Sequence, residues 1–106
     1  MIVTLFPFPL EAGGAESLAE VFRRHRILEI ASGVEGCRAV WLAADGDQSQ
    51  AAHAYAVGLW DDEAAYQRWI DHPERQAATD DIQALLRESG GLDLPGQVLT
   101  VRHSAD

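Results

Sequence analysis

Between Gly58 and Gln76 the chain reads GLWDDEAAYQRWIDHPERQ, which gathers Trp60, Tyr66, Trp69 and His72 in one short span. A further histidine, His25, lies upstream in SLAEVFRRHRIL. These residue types suit acid–base and oxyanion chemistry on an aromatic ligand. An imidazole kept neutral near pH 7 serves as a general base. A phenol donates a hydrogen bond to an oxygen that is gaining negative charge. Two flanking aromatic rings wall a flat slot. His25 follows Val21 by four residues and precedes Leu28 by three, so it falls on the apolar stripe of a helix and is expected to face a sheet. A base in a pocket and a hydrogen-bonded core histidine both fit that placement. Trp60 closes a strand whose same face carries Ala54, Ala56 and Gly58. Residues this small either leave space beneath a helix or let the helix pack closely. If space is left, Trp60 and Tyr66 wall it. The candidate catalytic set is therefore His25, Tyr66 and Trp60, with Phe22, Ala56, Gly58, Trp69 and His72 as candidate substrate-binding residues.

The other reactive residue types read as structural. His72 precedes Pro73, which favours an extended backbone there and a capping role for the next helix. His53 and Tyr55 share the opposite strand face with Val57 and Leu59. His103 lies near the C-terminus and is expected to be solvated. Cys37 reads as a strand residue with no histidine beside it. Asp61, Asp62 and Glu63 form an acidic helix start favoured by the helix dipole, with Asp61 as the expected N-cap. No two-histidine, one-carboxylate spacing stands out, so no metal is expected. No Gly-rich phosphate loop is present, which argues against flavin and other nucleotide cofactors.

The elements that must position these residues follow from periodicity and punctuation. Ile2 to Phe8 is β-branched and aromatic and reads as a strand, with Pro7 marking its end or an edge. EAGGA is a turn. A helix is expected from Ala15 to Ser32, with Leu18, Val21, Phe22, His25 and Leu28 on its apolar face. SGVEG stops it, with Gly33 or Gly36 free to take positive φ. CRAVWLAA and AHAYAVGLW read as the second and third strands, separated by the polar loop DGDQSQ. A short helix runs to Ile70. Pro73 suits the first turn of the next helix, whose stripe is Ala78, Ile82, Leu85 and Leu86 and which Gly90 and Gly91 end. GQVLTVRH is the fourth strand. The order is β-α-β-β-α-α-β, a ferredoxin-like α+β fold with a four-stranded antiparallel sheet. One sheet face takes the helices. The other is apolar and has no cover within the chain, so a homodimer packed sheet on sheet is expected.

The 106 residues carry a net charge of −9, with no lysine and no asparagine. That length suits a single domain over residues 1–106. A surface so acidic repels phosphate backbones, which argues against nucleic-acid binding. MIVTLFPFPL is too short to span a bilayer and lacks a basic leader, so neither a membrane anchor nor a signal peptide is expected. A lone cysteine fits a cytoplasmic protein.

Three stretches carry a family resemblance: MIVTLFPFPLEAGGAESLAEVF, then GVEGC, then GLWDDEAAYQRWIDHPE. They resemble the antibiotic biosynthesis monooxygenases of the dimeric α/β barrel superfamily over roughly residues 1–80. The likeness lies in the first strand and Gly turn, the Gly-Cys step into strand two, and the strand-three Trp followed by an acidic cap and an aromatic. WIDHPERQ also resembles the stress-responsive A/B barrel proteins. The resemblance places Trp60 and Tyr66 where cofactor-free, quinone-forming members have a pocket Trp and Tyr, while Ala56 stands where those members use Asn. Thr79 stands where haem-degrading members carry a ligand histidine, so no haem is expected. Trp69 and Arg75 occupy the positions of a catalytic Tyr and His in cyclase-like members, whose His-Pro pair is kept as His72-Pro73. The resemblance thus implies a cofactor-independent monooxygenase that turns a polycyclic phenol or anthrone into a quinone. The alternatives are a polyketide cyclase or isomerase, and a non-catalytic dimer that binds a small apolar ligand.

Overall fold

The computed structural model describes residues 1–10, 14–44, 52–86 and 96–103. Its elements are β1 (Ile2–Leu10), α1 (Gly14–His25), α2 (Ile27–Ser32), β2 (Cys37–Ala44), β3 (Ala52–Trp60), α3 (Glu63–Ile70), α4 (Pro73–Leu86) and β4 (Gln97–Thr100). The sheet order is β2-β3-β1-β4, and every pairing is antiparallel. This is the expected ferredoxin-like α+β arrangement, with β1 and β2 held apart by β3. The expected DGDQSQ loop and the Gly90–Gly91 helix stop lie outside the described residues. Among the described residues no helix is long and apolar enough to cross a membrane.

β1 runs through Pro7 and Pro9 rather than stopping at Phe8. Its pairing with β4 covers only Ile2 to Leu5, while β3 flanks it to Leu10. Beyond Leu5 one side of β1 is unpaired by described residues, and a proline there gives up no ladder bond on that side.

The helix expected from Ala15 to Ser32 is two helices. Arg26 sits in the left-handed region at φ 54°, ψ 41°, and breaks it. For a non-glycine residue this conformation costs about 1–2 kcal/mol. The break re-aims the chain: Leu18, Val21 and Phe22 are buried before it, and Ile27 and Ala31 after it. Gly36 takes the positive φ, 89°, that the SGVEG stop anticipates, and its carbonyl accepts from Asp61 N at 2.8 Å, tying the start of β2 to the end of β3. α3 is capped by Asp62, whose carboxylate accepts from Ala65 N at 3.0 Å. The expected cap, Asp61, instead pairs with Arg38 at 2.6 Å.

Strand alternation sorts the two faces of the sheet. Ile2, Thr4 and Phe8 of β1 and Ala54 and Trp60 of β3 are buried under the helices, together with Ala65, Trp69, Ala78 and Ile82 from α3 and α4. On the strand edges and the other face, Trp41 is 44% exposed and Leu99 47%.

Candidate functional site

The floor of the site is set by strand register. β1 and β3 pair so that Thr4 faces Gly58 and Ile2 faces Trp60. The Trp60 indole folds back over Gly58, and its N–H donates to Thr4 Oγ1 at 3.0 Å. A Cβ on Gly58 would collide with the indole nitrogen and the Thr4 hydroxyl, so only glycine fits. Trp60 is 1% exposed. Its one donor is satisfied, which makes the ring a wall.

Above this floor lies a partly open cavity of about 90 Å³ between sheet and helices. Phe6 and Phe8 from β1, Phe22 from α1, and Tyr66 and Trp69 from α3 give it an aromatic lining. The Trp60 and Tyr66 rings lie 5.5 Å apart at 53°, and Phe22 meets Phe8 edge-on at 5.9 Å. Arg75, Ala78, Thr79 and Ile82 of α4 complete it. Their spacing of three, four and seven residues is one helical face.

The polar groups of the lining are few and mostly spent. Thr4 accepts from Trp60, and Thr79 Oγ1 donates to the Arg75 carbonyl at 3.1 Å. Two donors remain. The Tyr66 hydroxyl and the Arg75 guanidinium have neither a hydrogen-bond nor a carboxylate partner among the described residues. The guanidinium lies 5.9 Å from the centre of the Phe6 ring. Burial pushes the Tyr66 phenol above its ordinary pKa, and the charge of Arg75 pulls part of that rise back. Tyr66 therefore stays a protonated donor at neutral pH.

Of the residues singled out from sequence, Phe22, Ala56, Gly58, Trp60, Tyr66 and Trp69 come together here. His25 and His72 do not. His25 lies at the last residue of α1, where the Arg26 break turns it across to α4, and its Nε2 meets Asp81 Oδ2 at 2.7 Å. It is not part of the lining, so the expected base in the slot is absent from it. His72 accepts from Glu74 N through Nδ1 at 3.1 Å, the capping role expected for it, and its ring lies 5.8 Å from that of Trp69 at a 43° tilt. Trp60, a candidate catalytic residue, spends its indole donor on Thr4. Thr4, Arg75 and Thr79 were missed as site residues. Thr4 is the lone polar residue alternating with Ile2, Phe6 and Phe8, and Arg75 shares the helical phase of Ala78 and Ile82; both signals stand in the sequence. Among the described residues no three histidine, cysteine or acidic side chains gather as a metal site.

No protein-family model matches the chain, and no curated protein matches its sequence. Solved structures do match. A candidate antibiotic biosynthesis monooxygenase from Deinococcus radiodurans superposes with a TM-score of 0.74 at 19% identity, over 100% of this chain and 97% of that one. The chain has the fold of the antibiotic biosynthesis monooxygenases. SnoaB, a cofactor-independent oxygenase from Streptomyces nogalater, matches that fold with a TM-score of 0.63 at 19% identity, over 97% of this chain and 95% of its own. Rv0793 from Mycobacterium tuberculosis does so at 0.68 and 13% identity, over 99% and 98%. At such identities the antibiotic biosynthesis monooxygenase fold is what is shared.

Proposed function

We propose that the chain is a cofactor-independent monooxygenase that oxidises a phenolic or anthrone-type aromatic to a quinone in the cavity beneath Tyr66 and Arg75. The observation that carries this reading is an aromatic lining that, among the described residues, holds the Tyr66 hydroxyl and the Arg75 guanidinium without hydrogen-bond partners and includes no acidic or imidazole side chain. Such a lining binds an electron-rich ring and holds the oxygen that gains charge as the ring is oxidised. The substrate supplies the electrons. The substrate loses a proton to solvent water, its anion passes one electron to O2, the radical pair joins as a peroxide that regains a proton from water, and loss of water leaves the carbonyl. One oxygen atom stays in the quinone and the other leaves in water.

An apolar cavity of about 150 Å³ holds one benzene ring. At about 90 Å³ this cavity takes the reacting edge of one ring, and the remaining rings of a polycyclic substrate lie in its open mouth. An aldol-type cyclase needs a base to take a carbon-bound proton. Among the described residues the lining offers none, so the oxygenase reading takes a substrate that loses its proton to solvent water.

The active unit of this proposal is a single-domain protomer in a homodimer. Val3 and Leu5, Ala39 and Trp41, Val57 and Leu59 alternate onto the face away from the helices, and a second copy of that face would cover them. Incubation of purified protein with anthrone under isotopically labelled oxygen tests the function. One labelled atom in the quinone is expected; quinone formation no faster than in protein-free buffer would sink it.

A further inference from the structure

We infer that Arg75 and Tyr66 form an oxyanion-selective subsite that takes the aromatic substrate as its phenolate and so replaces a protein base. This deepens the proposed function and rests on it for the substrate class. The cavity is chemically one-sided. Six aromatic side chains line it, yet among the described residues the only titratable groups facing it are Tyr66 from α3 and Arg75 from α4. β1, β2, β3, α1 and α2 contribute none. The nearest imidazole–carboxylate pair, His25 with Asp81 and beside it Arg24, lies outside the lining between α1 and α4.

A lining whose one charged group is a cation, with no carboxylate among the described residues to offset it, favours a ligand that has shed its proton. A neutral phenol can donate to the Tyr66 oxygen but brings no charge to meet the guanidinium. A phenolate accepts from both. Arg75 brings the planar guanidinium fork that matches an oxyanion, and the apolar lining strengthens its attraction for one. Its guanidinium lies 5.9 Å from the centre of the Phe6 ring, which places the charge at the cavity. The phenol O–H bond breaks with its electron pair left on oxygen, and the proton goes to solvent water. An opposite charge within hydrogen-bonding range typically favours an ionised oxygen by about tenfold or more. The Tyr66 phenol, which burial keeps protonated, adds a neutral donor to the same oxygen.

The test needs no turnover. para-Nitrophenol does not become a quinone here, and its anion is yellow. Titrated at the pH where the free probe is half ionised, it should yellow on binding, with the anion preferred about tenfold or more. Arg75→Gln should abolish the preference, Arg75→Lys should keep most of it, and Tyr66→Phe should lose a smaller part. para-Nitroanisole, which cannot ionise, should bind at least about fivefold more weakly at that pH, where half of the free para-nitrophenol is anion. Equal binding of the two probes, no binding of para-nitrophenol, or an unchanged colour shift in Arg75→Gln would overturn the inference. Oxygen uptake reports separately on the proposed function. Colour shift without uptake removes the oxygenase reading and keeps this subsite; uptake without colour shift does the reverse.

Discussion

The indole N–H of Trp60 donates to the hydroxyl of Thr4 across 3.0 Å, over a glycine that leaves no room for a methyl group. Strand register makes this contact: Thr4 stands opposite Gly58, two residues back from Trp60. The bond fixes the floor of the cavity and takes the indole donor out of the chemistry. Thr4→Val keeps the shape but leaves a buried N–H without a partner, which costs about 1–3 kcal/mol. Thr4→Ser should retain most of the stability. Denaturant melts of the two variants check this; a Thr4→Val protein as stable as wild type would contradict it.

Much of the fold is legible locally. The second and third strands begin and end where CRAVWLAA and AHAYAVGLW do, because β-branched and aromatic residues stop at polar or acidic segments. The aromatic part of the site is legible too, since Trp60, Tyr66 and Trp69 lie close in sequence. What is hidden depends on distant partners or on backbone strain. His25 carries the right helical phase to face the sheet, but the break at Arg26 puts it at a helix end, and Asp81, 56 residues away, takes its ring. RRHRIL has no glycine to announce a left-handed residue. Asp61 and Asp62 are equal candidates as a cap until Arg38 claims the first.

Arg26 offers a direct test of that break. Arg26→Gly removes the steric cost of φ 54° while raising the entropy of the unfolded chain, so stability should hold or rise by up to about 1 kcal/mol. Arg26→Val, which tolerates that conformation least, should be destabilised. Thermal melts showing Arg26→Val equal to Arg26→Gly would contradict the left-handed assignment.

The His25–Asp81 contact predicts a pH dependence with a defined sign. The hydrogen bond from His25 holds the Asp81 carboxyl below its usual pKa of 3.8, with the charges of His25 and Arg24 adding to it. A carboxyl depressed in the folded state contributes stability above its unfolded value and loses it as pH falls through the folded one. Wild type should therefore exceed Asp81→Asn in stability near pH 6, and the gap should close below about pH 4. The effect should be small, because the pair is exposed. Urea melts from pH 6 to pH 2 measure it; a gap that widens with acid would be the wrong sign.

The proposed dimer is tested by sedimentation. Trp41, 44% exposed on the face away from the helices, should become buried between copies. Wild type should sediment as a dimer at micromolar concentration, and Trp41→Glu should shift the equilibrium towards monomer. A monomeric wild type would remove the sheet-on-sheet assembly.

The most direct measurement is the rate of oxygen uptake on anthrone by wild type, Tyr66→Phe and His25→Ala, with no cofactor added. Wild type should consume one O2 per quinone formed. Tyr66→Phe keeps the ring beside Trp60 but removes the donor, and loss of one oxyanion donor typically lowers turnover about 10²- to 10³-fold. His25→Ala should retain most of the wild-type rate, because His25 faces Asp81 and not the cavity. Tyr66→Phe turning over at the wild-type rate while His25→Ala is inactive would contradict the account, and would place the chemistry at the α1–α4 surface.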